Sequence, residues 1–544
     1  MSEIKNTSSI IRLPVIIALT LAGGIFIGAK MFSSGGNVND VPKSVDKFRT
    51  ILSYINTEYV DTVNTEQLTE EAVTKMLEKL DPHSVYIPPK DMEMAKSQLE
   101  GDFEGIGIEF QILKDTLYVV TPISGGPSEA VGLQAGDKIL KVDGKTITGI
   151  KLSNQDVFKY LRGKKGTKVN VSILRRGQKS LLDFTITRDK IPTYSVDVSY
   201  MIDKETGYIK VSRFSATTYT EFKKALTDLR GKGLKKLILD LRGNPGGYMD
   251  RATQMADEFL DGNKMIVFTK AKQPRYNNEI RAVAPGDFEK GPVIVLIDEG
   301  SASASEIVSG ALQDNDRALV VGRRSFGKGL VQMPIPLGDN SELRLTISRY
   351  YTPSGRSIQK PYTKGDDDYN MDLYNRYKHG EFFRADSIKF DEKLKYKTTK
   401  GRTVYGGGGI MPDIFVPRDT SMFTPYLNEL FNKGIIREYT LEYGFTRKKE
   451  LEKMTFDQFR SSFEVSQSML DDIVKMGEKA GIKYNENEFN KSKNYIKTQV
   501  KAQIARAGWK NEGFFPIYNE SDEVYNQAIK LWDKAARIEK GKLN

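Results

Sequence analysis

Pro292-Val293-Ile294-Val295-Leu296-Ile297-Asp298 leads into Ser301-Ala302-Ser303-Ala304-Ser305-Glu306-Ile307, and Gly322-Arg323-Arg324-Ser325-Phe326-Gly327-Lys328-Gly329 follows. The first run is short, apolar and rich in β-branched residues, as a buried strand is. From Glu306 onward the apolar positions Ile307, Val308, Ala311 and Leu312 recur at helical spacing. Strand, tight turn and helix in that order read as one step of an α/β fold. A serine at such a junction sits among free backbone N–H groups and at the positive end of the helix dipole, where an oxyanion can be stabilised.

A serine nucleophile needs a base, and composition narrows the choice. The chain has no cysteine, which excludes a cysteine peptidase, and only two histidines. His83 lies in the turn-like Leu80-Asp81-Pro82-His83-Ser84, and His379 in the polar Tyr377-Lys378-His379-Gly380. A lysine serves as base when burial favours its neutral amine. Lys328, between Gly327 and Gly329, is the strongest candidate.

These residues carry a family resemblance. Asn244-Pro245-Gly246-Gly247, Gly300-Ser301-Ala302-Ser303-Ala304-Ser305-Glu306 and Phe326-Gly327-Lys328-Gly329-Leu330-Val331-Gln332 resemble the motifs of C-terminal processing peptidases, or tail-specific proteases, over about residues 45–418. The resemblance implies a serine endopeptidase with Ser303 as nucleophile, Lys328 as base and Gln332 orienting the lysine. It calls for neither metal nor cofactor. Ser301 and Ser305 remain fallback nucleophiles, although a Ser/Ala-rich helix start is often only a cap. Leu237-Ile238-Leu239-Asp240-Leu241-Arg242 reads as a buried strand running into the Asn244–Gly247 loop. That loop can aim an N–H at the scissile carbonyl from Gly246 or Gly247, with Ala304 as the second donor. Sequence leaves the choice between the two glycines open.

Two rival readings start from the same residues. Gly322-x-x-x-x-Gly327-Lys328 nearly spells a phosphate-binding loop, but position 329 is Gly rather than Ser or Thr. Pro334 and Pro336 then forbid the helix that such a loop requires. The non-enzyme alternative, a PDZ scaffold with a dead peptidase domain, expects a damaged dyad, whereas Ser303 and Lys328 are both present.

The rest of the chain sorts around this core. Residues 101–190 resemble a PDZ domain, in which Gly105-Ile106-Gly107-Ile108 would receive a peptide carboxylate on a nest of N–H groups. The peptide would then add as a strand to an open sheet edge. Residues 34–100 comprise a linker over 34–42 and two helices between Val45 and Leu80, which commonly mediate dimerisation in the family. The α/β core occupies 191–418, with a polar insertion from Asp366 to Lys400 whose role is unknown. Residues 419–544 are helical, ending in one stretch through Tyr525, Leu531, Trp532, Ala535 and Ile538 that packs on the core or on a second copy.

Residues 1–33 contain the apolar Leu13–Ala29, near the lower limit for a membrane span. Ala29-Lys30-Met31 lacks a small-x-small cleavage pattern, so an uncleaved anchor is favoured over a signal peptide. By resemblance, the catalytic part lies outside the cytoplasmic membrane, periplasmic or exported. The net charge of +11 comes from 82 basic against 71 acidic residues. With no isolated basic tract interleaved with aromatics, this argues against nucleic acid and for solvated faces or an anionic membrane surface.

Overall fold

The computed structural model describes residues 40–283, 285–362, 366–388 and 391–541. Leu13–Ala29 and most of the 34–42 linker lie outside them. No described helix is long and apolar enough to cross a membrane. The chain divides into two units, Met1–Met76 and Leu77–Asn544.

The first unit contributes the helix Asp40–Glu58 and all but the last residue of the helix Thr65–Leu77. The earlier helix starts five residues before the expected Val45, because Pro42 falls in its first turn, where a missing N–H loses nothing. Its apolar positions Val45, Phe48 and Ile51 are exposed.

In the second unit, six strands form the central sheet among the described residues. Their order is Val196–Met201, Thr206–Val211, Lys236–Asp240, Val293–Ile297, Leu319–Gly322 and Ile414–Phe415. The first pair is antiparallel and the others are parallel. Parallel strands with both faces covered read as continuous apolar runs, and Val293–Ile297 is buried at every position. One face carries Phe222, Leu226, Met255, Ile307 and Leu312. The other meets Val524, Tyr525, Ala528, Ala535 and Ile538 from the C-terminal region. The final stretch therefore packs on the core sheet, as two helices, Glu523–Ala528 and Trp532–Glu539, rather than one.

An antiparallel sheet flanks this core. Its long strand Glu342–Tyr351 pairs with Val85–Ile87, Met265–Ala271 and Leu330–Pro336. Leu330–Pro336 is a strand despite its two prolines, which excludes the helix of a phosphate-binding loop. Between them in sequence lies a smaller sheet, Ile108–Leu113, Thr116–Pro122, Lys138–Val142, Lys168–Leu174 and Leu182–Thr187, closed over Leu117, Ile139, Val169, Val171 and Ile186. The helix Asn154–Leu161 packs on it, begun by a capping box in which Ser153 and Asp156 satisfy each other's backbone N–H.

Candidate active site

Ser303 follows the strand Val293–Ile297 and caps the Ala304–Asp314 helix at φ 54°, ψ −111°. A residue with a side chain adopts that conformation only when its surroundings over-determine it. Here the Ser303 N–H donates to Glu306 Oε2 at 2.8 Å. Its neighbours have other tasks. The Ser301 hydroxyl donates to the Leu241 carbonyl at 2.8 Å and the Ser305 hydroxyl to the Asn244 carbonyl at 2.9 Å, both fully buried. Of the three hydroxyls only Ser303 lines a cavity of about 570 Å³, which it shares with Gly247, Lys328, Gln332 and Tyr350.

The glycine loop approaches this serine closely. A Cβ on Gly246 would lie 2.7 Å from the Ala302 carbonyl oxygen, and one on Gly247 only 2.0 Å from that of Phe214. Both also have positive φ, 99° and 143°, so glycine is required twice over. The Asn244 side chain decides what the loop offers. Its amide donates to the Val211 carbonyl, and its Oδ1 accepts the Gly246 N–H at 2.9 Å. Gly246 is thereby committed. Among the described residues the N–H groups of Gly247 and Ala304 meet no acceptor.

Behind the loop stands an ion cluster. Asp240, fully buried, accepts from Tyr208 at 2.6 Å and from Arg242 at 2.6–3.1 Å, and Lys210 lies 3.8 Å away. Burial works against this carboxylate, but Arg242 and Lys210 outweigh it and hold its pKa below the usual range. The outer edge of Arg242 donates twice at 2.8 Å to Asp522, 280 residues on. Replacing Asp522 by Asn should therefore destabilise the fold by about 1–3 kcal/mol and slow hydrolysis by loosening the loop. Denaturant titration and peptide turnover check this; unchanged values in both would mean that Asp240 alone holds Arg242.

Lys328 reaches the cavity from a loop organised by Glu306. The Glu306 carboxylate, fully buried, accepts Ser325 Oγ at 2.5 Å and the N–H groups of Gly327 at 2.7 Å, Lys328 at 2.9 Å and Ser303 at 2.8 Å. Burial pushes it up to about 7 against these four donors. One carboxylate thus fixes the backbone of both Ser303 and Lys328. The Tyr350 hydroxyl adds a second tie, 2.6 Å from the Lys328 carbonyl and 3.1 Å from that of Ser303. Burial also lowers the Lys328 amine, with Arg344 helping and Asp81 and Glu306 opposing.

Gln332 lines the same cavity as the lysine. Its amide donates to Thr346 Oγ1 at 3.1 Å, because the two residues are direct cross-strand partners. Thr346 Oγ1 donates in turn to Asp81 at 3.0 Å. Among the described residues, no hydrogen bond joins Lys328 to Gln332 or to the Ser303 hydroxyl.

Sequence reasoning missed several neighbours. Asp81, buried, accepts the N–H groups of His83 and Ser84 and the Ser84 hydroxyl. His83, in the turn-like stretch noted above, stands near Lys328. Burial, then Lys328, lowers its pKa to about 4, and its Nε2 lies 2.8 Å from the Tyr369 hydroxyl. Tyr369 belongs to the insertion, which packs on the lysine loop. Arg376 donates to the Arg324 and Ser325 carbonyls, Glu381 pairs with Arg324 and Arg376, and Lys360 lies 4.0 Å from the Phe326 and Tyr369 rings. The polar stretch holds Lys328's loop from outside.

At the other sheet, Gly105, Ile106, Gly107 and Ile108 are all buried. Ile106 offers its carbonyl to Ser128, while among the described residues the Ile106 and Gly107 N–H groups meet no acceptor. N–H groups left open in this way are available to an acceptor on a ligand.

Comparison with known proteins agrees with this architecture. Residues 205–368 match Peptidase family S41, residues 105–186 the PDZ domain, residues 27–91 the Activating protease CtpB N-terminal domain, and residues 426–510 a family of unknown function. The Carboxy-terminal-processing protease of Bartonella bacilliformis is 37% identical over 408 residues, 73% of this chain and 91% of that one. The Carboxy-terminal processing protease CtpB of Bacillus subtilis is 36% identical over 357 residues, 65% and 72% of the two chains. The solved photosystem II D1 C-terminal processing protease is 25% identical, covering 69% of this chain and 87% of that one, with a TM-score of 0.36. With a glycine loop, a serine helix and a lysine loop around one cavity and a PDZ domain alongside, the chain belongs to peptidase family S41, among its carboxy-terminal processing proteases.

Proposed function

We propose that this peptidase captures the C-terminal carboxylate of a protein tail on its PDZ domain and cleaves nearby with a Ser303–Lys328 dyad. The observation that carries the reading is the division of labour among three serines. Ser301 and Ser305 are buried and bonded, and Ser303 alone faces the cavity with Lys328. Ser303 Oγ attacks the scissile carbonyl while the neutral Lys328 amine takes its proton. The N–H groups of Gly247 and Ala304 stabilise the oxyanion; Gly246, already bonded to Asn244, does not. Collapse of the tetrahedral intermediate returns the proton from Lys328 to the leaving amine, and water then hydrolyses the acyl-enzyme by the same route. The two side chains come into contact as substrate fills the cavity. Gln332 acts on Lys328 indirectly, through Thr346 and Asp81.

The same reading carries residues 1–33 as an uncleaved anchor in the cytoplasmic membrane, with the catalytic part outside. It also includes a homodimer through the N-terminal helices, which the exposed Phe48 and Ile51 support.

Tail capture is tested with two peptides of identical sequence, one ending in an acid and one in an amide. The acid should bind the Ile106–Gly107 donors through charge-assisted hydrogen bonds of roughly 1.5–3 kcal/mol each. The amide should bind more weakly, by about tenfold or more, and be cleaved correspondingly slowly. Equal cleavage of both forms would leave a serine peptidase that does not read C-termini.

A further inference from the structure

The strand Ile108–Leu113 begins at the two open donors and is an edge of its sheet, paired only with Thr116–Pro122 among the described residues. Phe110 on this strand meets Phe158 of the helix Asn154–Leu161 edge-on at 5.8 Å. The free edge of the strand therefore runs alongside this helix, away from the carboxylate loop. At its far end lies a hollow of about 400 Å³ lined by Phe110, Gln111, Ile112, Ser153 and, from outside the PDZ domain, Arg437.

Arg437 stands on the helix Ile435–Thr446 of the C-terminal region and is exposed. With its amide oxygen turned toward the guanidinium, Gln111 accepts from Nε and Nη1 of Arg437, both at 3.1 Å. The charges around this contact are already matched across the two regions. Lys114 pairs with Glu438 at 2.6 Å, Arg176 with Glu442 at 2.8 Å and Arg506 with Glu109 at 2.7 Å. The first two pairs join this helix to the PDZ domain, and the third joins the helix Glu486–Tyr518 to it. Among the described residues Arg437 has no carboxylate partner, and it lines the hollow.

Its position along the strand edge follows from strand geometry. A tail whose carboxylate sits on Ile106 and Gly107 runs antiparallel to Ile108–Leu113, advancing about 3.4 Å per residue. Its last residue lies beside Ile108, so Gln111 and Ile112 face the residue three or four positions upstream. We propose that Arg437 makes the PDZ domain selective for tails carrying Asp or Glu three or four residues before the C-terminus. This rests on the tail-capture reading above, and adds to it a specificity residue supplied by the C-terminal region.

The test uses the full chain carrying Ser303→Ala, so that peptides bind without being cut, and fluorescence anisotropy with labelled peptides. Four peptides share one sequence and carry Glu, Gln or Lys at the two upstream positions, or Glu with an amidated C-terminus. The Glu peptide should bind about three- to tenfold more tightly than the Gln peptide, the preference shrinking at high salt. Adding Arg437→Glu should reverse the order, so that the Lys peptide binds best. That reversal also reports a folded PDZ domain, which a simple loss of binding would not. Equal affinity for Glu and Gln peptides, with the amide still weakened, would overturn the role of Arg437 and leave tail capture standing. An amide that binds as well as the acid would overturn both.

Discussion

Replacing Ser303 by Ala should lower peptide hydrolysis by about 10⁴- to 10⁶-fold while leaving the fold intact, since in the proposed mechanism Ser303 and Lys328 act as a unit. Only a hydroxyl facing the cavity is lost; the N–H bond to Glu306 and the helix cap remain. Ser301→Ala and Ser305→Ala serve as controls with a different signature. Each removes a buried hydrogen bond, to Leu241 ahead of the glycine loop or to Asn244 within it, and should lower stability by about 1 kcal/mol with a smaller loss of rate. Ser303→Gly separates chemistry from strain. It should be as inactive as the alanine variant yet more stable than it by about 1 kcal/mol, because glycine relieves the φ of 54°. Turnover of an unfolded substrate and denaturant titration distinguish the four variants. A Ser303→Ala enzyme with near wild-type turnover would remove Ser303 as nucleophile.

The readable part of this site is the part built locally. Ser303 follows from a strand, a turn and a helix contiguous in sequence, and a buried strand of the central sheet announces itself as an unbroken apolar run. What sequence withheld depends on distant side chains. Asp81 bonds Thr346 across 265 positions and Arg242 bonds Asp522 across 280. No spacing rule links such residues. Which glycine N–H stays open depends on the one that the Asn244 side chain takes, Gly246. The bond of Gln332 to Thr346 was not legible either, because cross-strand register, not distance along the chain, sets that neighbour. The break between Ala528 and Trp532 escaped notice for another reason. Ala528 and Ala535 are seven residues apart, a spacing that one helix or two can present to the same sheet face.

Lys328→Arg should be as inactive as Ser303→Ala, about 10⁴-fold or more below wild type, because a guanidinium does not surrender its proton at working pH. An active arginine variant would shift the base to another group, with His83, whose pKa the Lys328 charge helps to lower, as the next candidate. The wild-type pH profile follows from the lysine's environment. Burial lowers the Lys328 pKa below its ordinary 10.5, so activity should rise as pH climbs through the depressed value and level off above it. Glu306 adds a second limb near 7, since protonating its carboxyl turns an acceptor of four bonds into a donor. Stability has the opposite interest in the lysine. A depressed folded pKa contributes stability above pH 10.5 and loses it as pH falls through the folded value. At neutral pH the enzyme therefore carries the penalty of a buried amine. Lys328→Met fills the same volume without the charge, and should be inactive but more stable than wild type at pH 7. That advantage should narrow as pH rises toward 10.5. Denaturant titrations at pH 7 and pH 10 measure it directly. A methionine variant less stable at both would mean that the lysine is held charged by Asp81 and Glu306, and that a charged amine, not a free base, faces Ser303 in the resting enzyme.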